Sequence, residues 1–134
     1  MPAWRMSRFF LGSPASVTEA RRFVTGFLRD WPCLEAAELV VSELATNAVR
    51  HSASGRFGGR FMVTIRVASN GLWLGVLDEG GPHSPQLSTD SDDEGGRGLL
   101  LVSTLAAQWG VCGDEHGRTV WAVLSTAPAL VTAE

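Results

Sequence analysis

One predicted helix carries a carboxylate, an amide and two basic side chains close together near its end. At about 100° per residue, Glu43 and Asn47 lie about 40° apart and one turn from each other, with Arg50 on the same side. His51 falls further round, at the margin of the apolar arc. A buried carboxylate is costly unless it is paired, bound to a metal or used in a reaction. These residues are therefore candidates for acid–base or metal chemistry. The alternative is an exposed polar face with a contact between Glu43 and Arg50.

A second candidate is Asp78, at the end of a predicted strand. It shares its strand parity with three apolar residues, Leu72, Leu74 and Val76. If that face is the inner one, the carboxylate lies in an apolar pocket and can accept a hydrogen bond from an exocyclic amine of a ligand. Gly80 and Gly81 follow, where the backbone can approach a flat ligand closely. The alternative is an aspartate that ends a strand and starts a turn.

A glycine-rich turn, 95–98, leads into the apolar run that begins at Leu99. Free amides and the positive end of a helix dipole at such a turn suit a phosphate group, and Arg97 adds a charged donor. A plain flexible loop is the alternative. The acidic residues of 90–94 repel phosphate, so we expect them to face solvent, and their spacing does not fit an EF-hand calcium loop.

The elements that must position these residues alternate in the order strand, two helices, two strands, helix, two strands. Asn70-Gly71 predicts a hairpin turn, and adjacent hairpins make a sheet largely antiparallel. We therefore predict an α+β fold: a two-layer sandwich whose mixed, mostly antiparallel sheet has about three helices on one face. The predicted elements are the strand Trp4–Leu11, a helix from the capping box Ser16–Glu19 to Asp30, a helix over 34–51, strands over 61–67 and 72–78, a helix from Leu99 to about Ala107, and a hairpin over 111–124.

Length and composition exclude several classes of protein. The 134 residues are expected to form one domain, 1–134, with 124–134 as a frayed tail. The basic residues are 11 arginines with no lysine, which removes the Walker A lysine and Schiff-base chemistry. A net charge of −3 disfavours direct nucleic-acid binding, and no apolar run is long enough to span a membrane. Cys33 and Cys112 are far apart, which indicates two buried thiols in a cytoplasmic protein.

The order and spacing of the three candidate groups resemble those of a known family. The run Glu43–His51 resembles the N box of the GHKL (Bergerat-fold) ATPases, Asp78-Glu-Gly80 resembles their adenine box, and Gly96–Leu99 resembles the glycine box that ends the ATP lid. Thr119 matches the threonine often found near the adenine. The resemblance covers nearly the whole chain. The runs ELVVSELATNAVRHS and GRGLLLV are similar to those of stand-alone, anti-sigma-factor-type serine/threonine kinase domains of actinobacteria.

The resemblance implies roles for the residues of the first two boxes. Glu43 is then the general base that deprotonates a substrate hydroxyl or a water. Asn47 is the ligand of Mg²⁺ through its amide oxygen, with the phosphates of ATP supplying further oxygens. Asp78 holds the adenine amine, and Gly80 lets the base approach the backbone.

The resemblance also implies a phosphate-binding end of the site. Gly96 and Gly98 give the lid its hinge and its phosphate-facing amides, and Arg97 contacts the β- or γ-phosphate. Arg50 and His51 support the Mg²⁺ or phosphate side.

One residue departs from the family pattern. The adenine box usually runs Asp-x-Gly-x-Gly, and Pro82 stands at its last position, which leaves Gly81 to serve there. The implied function is a kinase that uses Mg-ATP to phosphorylate a small STAS-type anti-anti-sigma protein, sequesters a sigma factor, or does both, with a homodimer as a possible assembly. The alternative is a regulatory binding module without turnover. A third interpretation is an unrelated α/β domain with coincidental motifs.

Overall fold

The described part of the chain forms five strands and three helices in the order that the sequence predicts. The computed structural model describes residues 4–52, 55–56, 58–68, 71–81 and 94–125, and the backbone only of 94–98. None of the described helices is both long enough and apolar enough to span a membrane. The elements are β1 (Trp4–Leu11), α1 (Pro14–Phe27), α2 (Leu34–His51), β2 (Arg60–Ala68), β3 (Gly71–Asp78), α3 (Glu94–Leu105), β4 (Gln108–Gly113) and β5 (Arg118–Ser125).

The five strands form one sheet in the order β1-β2-β3-β5-β4. All four pairings between the described strands are antiparallel, so the mostly antiparallel sheet is confirmed. The chain leaves the sheet after β3, forms α3 and β4, and returns as β5 between β3 and β4. This return places the end of β3 directly beside the start of β5, with Asp78 opposite Arg118.

The sheet and the helices make the two layers that the hydrophobic pattern predicts. Alternate residues of β2, β3 and β5 are buried on one face, as expected for strands covered on one side. Helix α2 packs against all three of these strands and against α1 and α3. Its predicted apolar arc is confirmed, since the six residues of the arc are all buried: Ala37, Val40, Val41, Leu44, Ala45 and Ala48.

Helix α1 begins earlier than predicted. Its first residue is Pro14 and its N-cap is Ser13, so the capping box at Ser16–Glu19 is wrong. Ser16 is buried inside the helix, and its Oγ lies 3.2 Å from Oγ of Ser13. Proline suits the first helical position because its fixed φ is helical and its missing N–H has no partner there in any case.

Helix α3 also begins earlier than predicted. It starts at Glu94 and takes in the glycine-rich turn that was expected to precede it. Because glycine disfavours a helix by about 1 kcal/mol relative to alanine, the local sequence predicted a helix that begins only at Leu99. Leu99 and Val102 are buried in the core, and packing of this apolar face overrides the local preference.

The expected tail begins later than predicted, because Leu124 is a buried residue of β5. Residues 126–134 lie outside the described residues, as does Asn70 of the predicted turn. Both cysteines are free; Cys33 is buried as expected, but Cys112 is exposed because it lies on the outer face of the edge strand β4.

Truncation of Leu44 tests the packing of α2 on the sheet. Leu44 is 1% exposed, so Leu44→Ala should lower the free energy of unfolding by about 2–5 kcal/mol through lost burial and the cavity left behind. Leu39 lies on the same helix and is 46% exposed, so Leu39→Ala should change the free energy of unfolding by about 0.5 kcal/mol or less. Urea unfolding measures both, and equal losses would contradict this orientation of α2.

Candidate functional site

Asp78 points into the layer between sheet and helices. Its side chain is 4% exposed, which confirms that its strand parity puts it on the inner face. Its Oδ1 accepts a hydrogen bond from the backbone N–H of Gly80 at 2.7 Å, so it also starts a turn. The two interpretations of this residue are therefore compatible: one carboxylate oxygen shapes the loop after β3 while the group as a whole remains buried.

Arg118 is the partner of Asp78 that the motifs did not reveal. It lies directly opposite on β5, its side chain is also 4% exposed, and its Nε is 3.5 Å from Oδ1 of Asp78. The available signal was strand parity, because Arg118 shares the inner face of β5 with Val120, Ala122 and Leu124. A buried carboxylate needs a positive charge beside it, and a buried guanidinium needs a negative one, so each of these two side chains makes burial of the other possible.

The pKa of Asp78 is set by opposing influences. Burial is the largest and raises the pKa of this carboxyl above its ordinary value of 3.8. The hydrogen bond from Gly80 and the positive charge of Arg118 lower it, and the negative charge of Glu79 raises it. Together these influences leave the pKa of Asp78 above its ordinary value, and how far above depends on the positive charge of Arg118.

The two glycines after Asp78 allow close approach of backbone to backbone. Gly80 has a φ of +76°, and a Cβ there would lie 2.3 Å from the carbonyl oxygen of Glu115 in the β4–β5 turn. A Cβ at Gly81 would lie 3.4 Å from the carbonyl oxygen of His51. The loop after β3 therefore lies between the β4–β5 turn and the end of α2.

The polar residues of α2 differ in burial. Asn47 is 7% exposed, and its Nδ2 has no hydrogen-bond partner among the described residues. Glu43, one turn earlier, is half-buried, while the side chains of Arg50 and His51 are exposed. What His51 brings to the site is its backbone, since its carbonyl oxygen accepts a hydrogen bond from Nη2 of Arg118 at 3.5 Å.

The glycine-rich turn lies within a helix. The backbone of Gly96, Arg97 and Gly98 lies in the first turns of α3, which packs against α2, while their side-chain surroundings are not described. Pro82 lies outside the described residues.

Thr119 is not brought to Asp78. It pairs with Leu77 and therefore lies on the outer face of the sheet, because adjacent strand residues point to opposite faces.

Comparison with known proteins identifies the family. A family model described as the histidine kinase-like ATPase domain matches residues 10–124, which runs from the end of β1 to the end of β5. This chain belongs to that family. A histidine kinase-like ATPase domain implies ATP as its ligand, and the match includes every residue assigned to a site above.

Several curated proteins are similar to this ATPase domain. The serine-protein kinase RsbW of Bacillus licheniformis is 34% identical over 84 residues, covering 54% of this chain and 52% of the relative. RsbW of Bacillus subtilis (strain 168) is 33% identical over 84 residues, with the same coverage of 54% and 52%. RsbW of Bacillus pumilus (strain SAFR-032) is 34% identical over 86 residues. The chain spans about half the length of these curated relatives.

Substitution of two glycines with similar φ distinguishes the cost of backbone strain from the cost of a steric clash. Gly58 has a φ of +80° and a Cβ there finds none of the described atoms within 4 Å, so Gly58→Ala should cost about 1–2 kcal/mol from strain alone. Gly80→Ala adds a clash with the β4–β5 turn and should cost more, while shifting the loop that holds Asp78. Urea unfolding of both variants tests this, and equal costs would contradict the close contact at Gly80.

Proposed function

We propose that this chain is a Mg-ATP-dependent regulatory protein kinase of anti-sigma-factor type. It transfers a phosphoryl group to a serine or threonine of a small STAS-type anti-anti-sigma protein, sequesters a sigma factor, or does both, in the cytoplasm. The observation that carries the proposal is the burial of both Asp78 and Asn47 in a chain that belongs to an ATPase family. The RsbW relatives are named serine-protein kinases, and this name supports a protein serine as the phosphoryl acceptor.

Asp78 recognises the base. A buried, hydrogen-bonded carboxylate accepts a hydrogen bond from the exocyclic amine of adenine, and a site built around such an acceptor discriminates against bases that lack the donor. The turn at Gly80 and Gly81 brings backbone next to this carboxylate, where a flat base can lie against it.

Asn47 fits a metal or phosphate ligand. The buried Nδ2 of Asn47 has no partner among the described residues, and such an atom costs about 1–3 kcal/mol unless a ligand meets it. Rotation of the amide exchanges its oxygen and nitrogen, so the orphaned position can present an acceptor to Mg²⁺ or a donor to a phosphate oxygen. When bound, Mg²⁺ neutralises charge on the phosphates and helps to orient the transferred group. Arg50 and Arg97 add positive charge to the phosphate side.

Glu43 acts as the general base. It lies one helical turn before Asn47 on the same side of α2 and is half-buried, so a carboxylate is available next to the phosphate end of the site. The hydroxyl oxygen of the acceptor attacks the γ-phosphorus, the bond to the β–γ bridging oxygen breaks, and the hydroxyl proton passes to Glu43. The products are ADP and a phosphorylated side chain.

A nucleotide-dependent binding module without turnover is the second candidate. It is favoured by Pro82, which replaces the last glycine of the adenine box at the start of the lid. Such a module still binds Mg-ATP and still regulates a sigma factor by contact. The two candidates therefore differ in phosphoryl transfer and not in nucleotide binding.

Substitution of Glu43 separates the two functions. With γ-labelled ATP and a panel of STAS-type antagonists from the same organism, Glu43→Gln should reduce label transfer by about 10²–10⁴-fold and leave ATP affinity near that of the wild type. Glu38→Gln makes the same change at an exposed position of α2 and should transfer label normally. ATP binding by the wild type without transfer to any antagonist favours the binding module, and undiminished transfer by Glu43→Gln removes the assigned base.

Substitution of Asn47 tests the metal site. Asn47→Ala should make ATP affinity the same in the presence of Mg²⁺ or EDTA, because the amide oxygen that holds the metal is gone. Asn47→Asp retains an oxygen ligand and should retain the Mg²⁺ dependence. Isothermal titration calorimetry measures both, and a Mg²⁺ dependence that persists in Asn47→Ala places the metal on other residues.

A further inference from the structure

Three elements of the fold meet at the guanidinium of Arg118. Its Nε lies 3.5 Å from Oδ1 of Asp78 at the end of β3, and its Nη2 donates to the carbonyl oxygen of His51 at 3.5 Å. A Cβ at Gly81 would lie 3.9 Å from the same Nη2, so the loop after β3 also passes close to it. Arg118 itself belongs to β5, so this one side chain connects β3, β5 and α2.

Both negative partners of this guanidinium have a physical reason to need it. His51 is the last residue of α2, and the last carbonyls of a helix lack intrahelical partners and carry partial negative charge. Asp78 carries a buried negative charge. A cation between them offsets both, and because arginine has a planar fork of donors, one side chain can serve two acceptors in different directions.

We propose that Arg118 is a positioning residue for the nucleotide, which ties the base-recognising carboxylate of Asp78 to the end of the helix that carries Asn47. This inference rests on the proposed function. Asn47 lies one turn before His51, about 6 Å along the helix axis. By holding the carbonyl of His51 and the carboxylate of Asp78 on one guanidinium, Arg118 sets the spacing between the base end and the metal end of the site.

Arg118 also leaves the carboxylate suited to an amine donor. The hydrogen bond from Gly80 and the 3.5 Å contact with Nε of Arg118 both involve Oδ1 of Asp78. The positive charge of Arg118 opposes the effect of burial on the pKa of Asp78 and so favours the ionised acceptor. The other charged groups near Asp78 among the described residues are Glu79, which raises its pKa, and Arg60 and His116, which line the same pocket as Asp78.

The pH dependence of binding distinguishes positioning from mere packing. The ionised carboxylate accepts the stronger hydrogen bond, so affinity should fall as pH drops through the pKa of Asp78. Arg118→Met removes the opposing charge, raises that pKa and moves the fall to higher pH. If only the ionised form binds, each unit of increase weakens affinity about tenfold at pH values below both pKa values. Arg118→Lys keeps the charge but not the fork, so its pH profile should stay near that of the wild type.

The experiment combines three measurements on the full chain. Mg-ATP affinity is measured from about pH 5 to about pH 8, and the carboxyl carbon of Asp78 is titrated by NMR without nucleotide over the same range. Amide hydrogen exchange at His51 and Ser52 reports the end of α2 and should be faster in both Arg118 variants. His116→Gln is the control for the exposed histidine and should leave the profile of the wild type unchanged.

The outcomes separate this inference from the proposed function. If the wild type binds Mg-ATP and Arg118→Met keeps both its pH profile and the pKa of Asp78, the positioning role is overturned and the proposed function stands. A wild type that does not bind Mg-ATP overturns the proposed function and the positioning role with it. If Arg118→Met does not fold, Arg118→Lys decides: weaker ATP affinity with faster exchange at the end of α2 supports the inference, and wild-type values for both overturn it.

Discussion

The buried pair of Asp78 and Arg118 is the interaction on which the rest of this site depends. Two opposite charges, each almost fully removed from water, face each other across neighbouring strands at one end of the sheet. Neither charge is tolerable there alone, because desolvation of a single ion costs more than packing can offset. The pair therefore holds the end of β3, the start of β5 and the loop after β3 in one arrangement, and through the carbonyl of His51 it extends that arrangement to α2.

Buried polar groups elsewhere in the described core are satisfied locally. The hydroxyl of Ser16 lies 3.2 Å from that of Ser13, and the hydroxyl of Thr64 lies 2.8 Å from that of Ser7. Asn47 differs, because its amide nitrogen has no partner among the described residues. Asn47 and the charged pair are therefore the buried polar groups of the described core that a neighbouring hydroxyl does not satisfy, and the proposed site is built on these three residues.

A single step along β5 decides what this site contains. Thr119 carries the type of residue that the family motif suggests, but it lies on the outer face opposite Leu77, while Arg118 lies on the inner face opposite Asp78. Because strand residues alternate between faces, a shift of one position exchanges a small neutral hydroxyl for a large cation beside the carboxylate. The electrostatic character of the proposed base site follows from that register.

The local sequence determined the elements with strong periodicity and the residue types of the candidate site. The limits of α2, the strands around the hairpin and the inward direction of Asp78 all follow from spacing, since 3.6- and 2-residue periods are properties of the chain itself. The start of α1 at Pro14 also follows from a local property, the fixed φ of proline, whereas the early start of α3 depended on the tertiary packing that buries Leu99. The tertiary structure alone paired Asp78 with Arg118 and left the amide nitrogen of Asn47 without a partner among the described residues, because these facts depend on which strands become neighbours and on which helix covers them.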